Sequence, residues 1–316
     1  AYMSKNTEKQ VKTRHEMTKA EWTWFLVRKN KTAYFMIAPF MILFFLFTII
    51  PVFLSLVLSF TSFNMLEWPK FIFMDNYITL FLDDELFITA LKNTLIFAAI
   101  TGPVSYILSF VVAWFINELS PKIRAIVTLI FYAPSISGNV YLIWATLFSS
   151  DAYGWANGIL MKLGFIDEPI LWFQNAKYVM PLCIIVALWM SLGTAFLSFI
   201  AGLQGINKSL YEAGAIDGVK NRWQELWYIT LPSMKPQLMF GAILSITGAF
   251  GFGPVVTALA GNPSVDYVAY TLNHHLTEYQ GTRWEVGYAS AISFILFLMM
   301  IGCNVLITKL IAKVGQ

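Results

Sequence analysis

Six stretches of this 316-residue chain carry no Lys, Arg, Asp, Glu or His. They cover residues 32–66, 93–117, 125–150, 178–207, 236–265 and 286–308. The shortest holds 23 residues, which as a helix rising about 1.5 Å per residue reaches roughly 35 Å, enough to cross a hydrocarbon core of about 30 Å. Each stretch is rich in Leu, Ile, Phe and Val, which favour insertion by roughly 0.3–0.6 kcal/mol apiece. The pattern predicts an all-α integral membrane protein with six transmembrane helices. Composition agrees: charged residues make up 12% of the chain, half the share of about 25% found in an average soluble domain. Aromatics reach 16%, with 11 Trp and 14 Tyr, as interfacial belts require.

The cations orient the helices. With the N-terminus inside, the inner segments hold Lys5, Lys9, Lys12, Arg14, Lys19, Arg28, Lys29 and Lys31, then Lys122 and Arg124, then Lys208, Lys220, Arg222 and Lys235, then Lys309 and Lys313. The outer loops hold only Lys70, Lys92, Lys162, Lys177 and Arg283, so 16 of 21 lie inside. The positive-inside rule therefore predicts both termini in the cytoplasm. Met3-Ser4-Lys5 reads as a start preceded by two extra residues, and no removable signal peptide is expected. Residues 1–32 form a cytoplasmic N-terminal segment in which Trp22, Trp24 and Phe25 sit among Lys and Arg. That stretch is expected to lie as an amphipathic helix on the inner membrane surface. The six-span domain occupies 33–316.

Several function classes are disfavoured. Ion-coupled transporters usually place ionisable groups inside the bilayer, and none of the six stretches has one. No Walker A sequence occurs, so ATP chemistry would come from another chain. Cys183 and Cys303 both fall in apolar runs and read as small core residues rather than a disulfide or metal pair. No catalytic constellation, metal site or nucleic-acid-binding feature stands out.

The longest interior loop, 207–236, reads NKSLYEAGAIDGVKNRWQELWYITLPSMKP. Ser209 and Glu212 have capping-box spacing, which predicts a helix start there, and Asp217-Gly218 reads as its stop. Asn221 with Gln224 predicts a second short helix whose apolar face is Trp223, Leu226, Trp227 and Thr230. Pro232 and Pro236 then break the chain before the next span. The first helix is poor in bulk (Ala213, Gly214, Ala215), so another surface can approach it. The second is expected to pack on the ends of the membrane helices.

The run EAGAIDG followed by Ile229-Thr230-Leu231-Pro232 resembles the EAA loop of ABC importer permeases. With Trp223-Gln224 between them, it is similar to carbohydrate-uptake permeases of the maltose-transporter type. Two details depart from that pattern. Gly214 stands where Ala is usual, and ten residues separate Gly218 from Ile229 where nine are expected. The chain also lacks a large outer-loop insert. The resemblance implies a six-span permease of a bacterial cell membrane, itself no enzyme and binding no cofactor. It further implies a second homologous permease, two ATPase subunits carrying ATP and Mg, and an extracytoplasmic solute-binding protein. The substrate would be a sugar, expected to be an oligosaccharide. Glu212, Ala213, Gly214, Asp217 and Gly218 map onto the helix that docks on the ATPase. An alternative local role for Glu212 is capping its own helix. At the level of function, the alternatives are an importer for a non-sugar solute and an ion-coupled transporter working alone.

A sugar path calls for aromatic faces and neutral polar groups. In the third span these are Tyr132, Ser135, Ser137, Asn139, Tyr141 and Trp144; in the fourth Trp189, Ser191 and Thr194; in the fifth Ser245, Thr247, Phe250 and Phe252. Gly248, Gly251 and Gly253 are expected to interrupt the fifth helix. Polar groups in spans also serve helix packing, and both readings stand for each residue. By the resemblance, Ala187 and Thr194 replace an Asn and a Tyr of maltose-type relatives, so the substrate would not be held as maltose is. His274-His275, with Glu278 nearby, is expected to be a loop pair facing solvent or a partner rather than a metal site. Tyr267, Tyr270, Tyr279 and Trp284 are expected to form an interfacial belt or to contact a binding protein.

Overall fold

The computed structural model describes residues 18–312. Lys5, Lys9, Lys12, Arg14 and Lys313, counted above for orientation, lie outside the described residues, as does the start at Met3. The chain divides into two compact units, one ending at Ser55 and one beginning at Leu56.

In the first unit Thr18 caps the helix Lys19–Lys29 through a reciprocal box with Glu21. A 28-residue helix, Lys31–Leu58, follows and passes through a π-turn at Phe45–Ile49. Pro51 has no N–H to close an ordinary turn there, and the wider turn accommodates it. Phe35, Phe40, Phe47 and Phe53 all stand exposed. A helix of this length that is apolar on every side suits a lipid surrounding.

The second unit begins with a correction to the sequence reading. The first helix stops at Leu58 rather than running to residue 66. Asn76 Nδ2 donates to the carbonyls of Ser59 and Thr61, which draws the chain into a short antiparallel ribbon, Thr61–Ser62 with Lys70–Phe71. The second span, Glu85–Asn117, is one helix of 33 residues despite Pro103. Spans three to five are broken. Pro121–Ile136 turns by 85° into Tyr141–Leu147, Ala176–Met190 by 40° into Thr194–Gly205, and Lys235–Ala249 by 42° into Gly253–Ala260. The third stretch is thus no single straight helix: Pro134 and Ser137-Gly138 end it early. The break in the fifth falls among the glycines, as expected; the one at Ser191–Gly193 was unforeseen. The sixth span is Val286–Ala312.

Three buried clusters hold the second unit together. Near the 207–236 loop, Phe110, Ala113 and Ile116 of span two meet Phe196, Phe199 and Leu203 of span four, with Leu226, Met234 and Leu238. Further along, Phe97 packs with Val179, Cys183, Val186, Ala187, Val255 and Val256. At the far end, Leu80, Phe87 and Ala90 meet Tyr270, Leu272, Tyr288 and Ile292. Between helices in lipid the driving force is close packing rather than loss of water. Both cysteines are free, Cys183 buried and Cys303 half-buried.

Candidate functional site

The 207–236 loop folds as a helix, a sharp turn and a second helix, with several details that differ from the sequence reading. Asn207, not Ser209, is the first cap: its side chain accepts the Ser209 N–H at 3.1 Å, and the helix runs Lys208–Ile216. Ser209 is already inside the helix, so no Ser209–Glu212 capping box forms. Glu212 is exposed and makes no hydrogen bond or ion pair among the described residues. The helix ends as expected. Gly218 takes φ +95°, and the N–H groups of Gly218 and Val219 return to the carbonyls of Ala215 and Gly214, a Schellman closure that a Cβ at Gly218 would strain. Gly214 does not face outward with Ala213 and Ala215. It is buried, and a Cβ there would stand 2.6 Å from Ile229 Cδ1. Its small size serves the seam between the two loop helices. Ile216, which sequence reasoning passed over, is 86% exposed at the tip beside Glu212 and Asp217.

Asn221 caps the second helix by accepting the Gln224 N–H at 2.9 Å. The Gln224 side chain reaches Lys220 rather than returning to Asn221. Arg222–Glu225 leads into a π-turn at Leu226–Thr230 and then Leu231–Ser233. A π-turn takes one residue more than an α-turn, which is room for the one extra residue that the resemblance counts between Gly218 and Ile229. Pro232 therefore does not break the helix; the break comes at Met234, and Pro236 opens the fifth span. The π-turn also rearranges the apolar face. Leu226 and Thr230 are buried, while Trp223 and Trp227 are 69% and 66% exposed. Tyr211 Oη and Thr230 Oγ1, 2.9 Å apart, tie the two loop helices together, and the loop is fixed to its surroundings at two points: Trp223 against Trp114 of span two at 5.4 Å between rings, and Arg222 paired with Glu118 at the end of that span.

A cavity of about 270 Å³ lies where the broken spans four and five pass span two. Ser105, Ser191, Thr194 and Ser245 supply its hydroxyls, Met190, Leu244 and Phe252 its apolar wall, and Gly248 leaves one side open. Ser105 and Ser191 donate back to their own helices, to Gly102 and Leu188. The hydroxyls of Thr194 and Ser245 make no bond within the described residues. No charged side chain lines this space. It can therefore hold a neutral polyhydroxylated group by hydrogen bonds on one side and by the Phe252 face on the other.

At the far end of span two the histidine pair corrects another expectation. His274 and His275 lie on the helix Leu272–Thr277 and are 3% and 1% exposed, not in a solvent-facing loop. Asp84, which caps span two through the Phe87 N–H at 2.8 Å, accepts from His275 Nε2 at 3.0 Å and Tyr288 Oη at 2.8 Å. Burial alone would raise the Asp84 carboxyl, but these bonds outweigh it and hold it below the usual carboxylate range. Burial pushes His275 below its ordinary value against the pull of Asp84, and pushes His274 to about 4. Tyr270 is wholly buried and donates to Glu278, and Tyr267 and Tyr279 are half-buried. Of the expected belt only Trp284 is exposed. Among the described residues no group of three or more His, Cys, Asp or Glu side chains could hold a metal.

Residues 25–315 match the family of binding-protein-dependent transport system inner membrane components. The chain belongs to that family. It is 34% identical to the probable ABC transporter permease protein YesP of Bacillus subtilis (strain 168), over 92% of each chain. It is 31% identical to the arabinooligosaccharides transport system permease protein AraP of the same organism, over 92% of this chain and 91% of that one. It is also 30% identical to the lactose transport system permease protein LacF of Rhizobium radiobacter, over 84% and 88%. A solved bacterial ABC transporter involved in importing the acidic polysaccharide alginate has a chain of the same fold. The TM-score is 0.72 at 23% identity, covering 94% of this chain and all of that one.

In this binding-protein-dependent permease the residues singled out from sequence are dispersed. Ser191, Thr194, Ser245 and Phe252 meet in the cavity. Tyr132 packs against the cluster near the loop. Asn139 and Tyr141 bond to each other at 3.0 Å at the bend of span three, and Trp189 lies edge-on to Trp144 at 5.5 Å. Phe250 is buried, and its carbonyl holds Asn273. Ala187 is wholly buried in the second cluster and does not reach the cavity. Ser105 was missed; the one local signal was a Gly-Pro pair just before a serine in mid-span.

Proposed function

We propose that this chain is one of two homologous permease subunits of an ATP-binding-cassette importer that moves a sugar, an oligosaccharide in particular, into the cytoplasm. The observation that carries the reading is the outward-turned tip of the 207–236 loop. Glu212 stands exposed and unpaired there, beside an exposed Ile216, on a helix anchored beneath by Gly214 and Ile229. An unpaired carboxylate next to an apolar knob suits a partner groove that offers an Arg and an apolar pocket. That partner is an ATPase subunit, which carries ATP and Mg; this chain is a non-catalytic transport subunit. A solute-binding protein delivers the sugar on the extracytoplasmic side, and both termini lie in the cytoplasm, in line with the Lys and Arg asymmetry. The substrate class is supported by the relatives that carry arabino-oligosaccharides and lactose, and by a cavity with four hydroxyls, an aromatic face and no charge.

The geometry suggests how movement at the tip reaches the sugar. The second loop helix grips span two through Glu118 and Trp114, and the same unbroken helix presents Ser105 to the cavity. Spans four and five bend at the cavity, where their angles can change. The test is uptake of labelled arabino-oligosaccharide into proteoliposomes holding this chain, its co-purifying subunits and a binding protein. Accumulation that needs both ATP and the binding protein is the expected result. Uptake driven by an ion gradient without ATP would replace this reading with a stand-alone transporter.

A further inference from the structure

A second, larger cavity of about 480 Å³ lies beside the loop, and transport of a sugar gives it no role. It is walled by the end of span two (Trp114, Asn117, Glu118), the start of span three (Pro121, Arg124), the end of span four and the loop residues Tyr211, Arg222 and Glu225. A smaller space of about 240 Å³ adjoins it through Pro121, Arg124 and Gln204.

Its charges do not cancel. Arg222 pairs with both Glu118 and Glu225, so the two carboxylates are already engaged by one guanidinium. Arg124 makes a single bond, from Nη2 to the Leu119 carbonyl at 3.1 Å, and its buried Nε has no partner. Lys208 is exposed at the rim and pairs with nothing among the described residues. Three cations against two carboxylates leave a net charge of +1. Asn117 Oδ1 and Thr128 Oγ1 are also buried and unbonded, Thr128 in the adjoining space. The positive end of the Pro121–Ile136 helix opens here, and its cap Ser120 makes no side-chain cap bond.

We propose that this cavity binds the phosphate of a phosphodiester, held by Arg124 and Lys208 at the level where the membrane helices end. A single negative charge matches the residual charge of the walls. The oxygens accept from the Arg124 guanidinium and the Lys208 ammonium, and the diester's neighbouring hydroxyls meet the Asn117 amide. Basic pockets between span ends on the positive-inside face are where lipid headgroups settle. An anionic lipid and a free phosphate share this chemistry, and the experiment separates them. The site does not depend on what the protein transports.

The full-length chain, purified in mild detergent and stripped of lipid, is titrated with phosphatidylglycerol, with zwitterionic phosphatidylcholine and with inorganic phosphate. Native mass spectrometry and the unfolding temperature are the readouts. Retention of one phosphatidylglycerol per chain is the expected result, about fivefold weaker in each of Arg124→Gln and Lys208→Gln. Binding is unchanged in Lys122→Gln, a neighbouring cation that does not line the cavity. The same variant pattern for inorganic phosphate, with no preference between the lipids, would support the site and assign it a free anion. No binding of any probe would overturn the site. So would equal binding by wild type and both cavity variants, or an equal loss in Lys122→Gln.

Discussion

At the residue scale, two glycines in one loop do opposite jobs. Gly218 is there for its backbone, Gly214 for the space it leaves. Gly214→Val drives a side chain into Ile229 and forces the loop helices apart; overpacking of this kind disfavours the fold by about 1–3 kcal/mol. The checks are lost ATPase co-purification and a lowered unfolding temperature together. Glu212→Ala, by contrast, leaves unfolding unchanged while abolishing uptake, because the side chain makes no hydrogen bond or ion pair among the described residues. A fall in stability there would restore the capping role. The buried His274 predicts acid sensitivity. Its pKa falls from 6.5 to about 4 on folding, so the unfolded chain binds the extra proton. Stability is full above 6.5 and declines as pH drops from 6.5 toward 4, by on the order of 3 kcal/mol. Asp84, also depressed, adds its loss only below the ordinary carboxylate range. His274→Asn keeps an acceptor for the Thr271 N–H and should shrink the first decline, leaving the part that the depressed His275 contributes, as read by unfolding temperature against pH. The burial of His275 was not legible, because its partner Asp84 lies 191 positions away in the chain.

At the element scale, the spans were legible and their breaks were not. Charge exclusion is imposed by lipid on every residue of a span and shows as an uninterrupted run. A break needs only a few residues whose backbone groups find other partners, and Ser191-Leu192-Gly193 looks like any small-residue packing site. The fifth span announced its break through three glycines. The loop showed the converse problem: Asn207 and Ser209 are both good caps two positions apart, and the choice between them was made by the backbone before Lys208. Arg222 and Glu118 illustrate how small an energy a useful contact can have. The pair is well exposed, so Arg222→Gln should change unfolding free energy by no more than about 1 kcal/mol. It should nevertheless lower the sugar moved per ATP hydrolysed, since the loop loses its grip on span two. Unchanged coupling in reconstituted vesicles would show that Trp114–Trp223 and the Leu226 packing suffice.

At the scale of the whole molecule, the chain reads as a part. The cavity between spans two, four and five is open and polar on one side only, the loop tip is turned outward, and the cations of the second unit gather at the end where the loop lies. Each makes physical sense if other subunits complete it: a second permease across the cavity and an ATPase beneath the loop. The resemblance carried by EAGAIDG and Ile229-Thr230-Leu231-Pro232 was sufficient to place the family, because seven residues specify both a helix stop and an exposed carboxylate. The cavity was only partly legible, since Ser, Thr and Phe in a span look alike whether they face a helix or a sugar. The most direct test of the central claim is affinity purification of the tagged chain in mild detergent, with quantitative mass spectrometry of what accompanies it, for wild type and for Ile216→Asp. A second permease and two ATPase subunits with the wild type, and the permease without the ATPases for the variant, is the predicted result. An ATPase retained in full by the variant, or a wild-type chain that purifies alone yet transports, would contradict the docking of this loop on an ATPase.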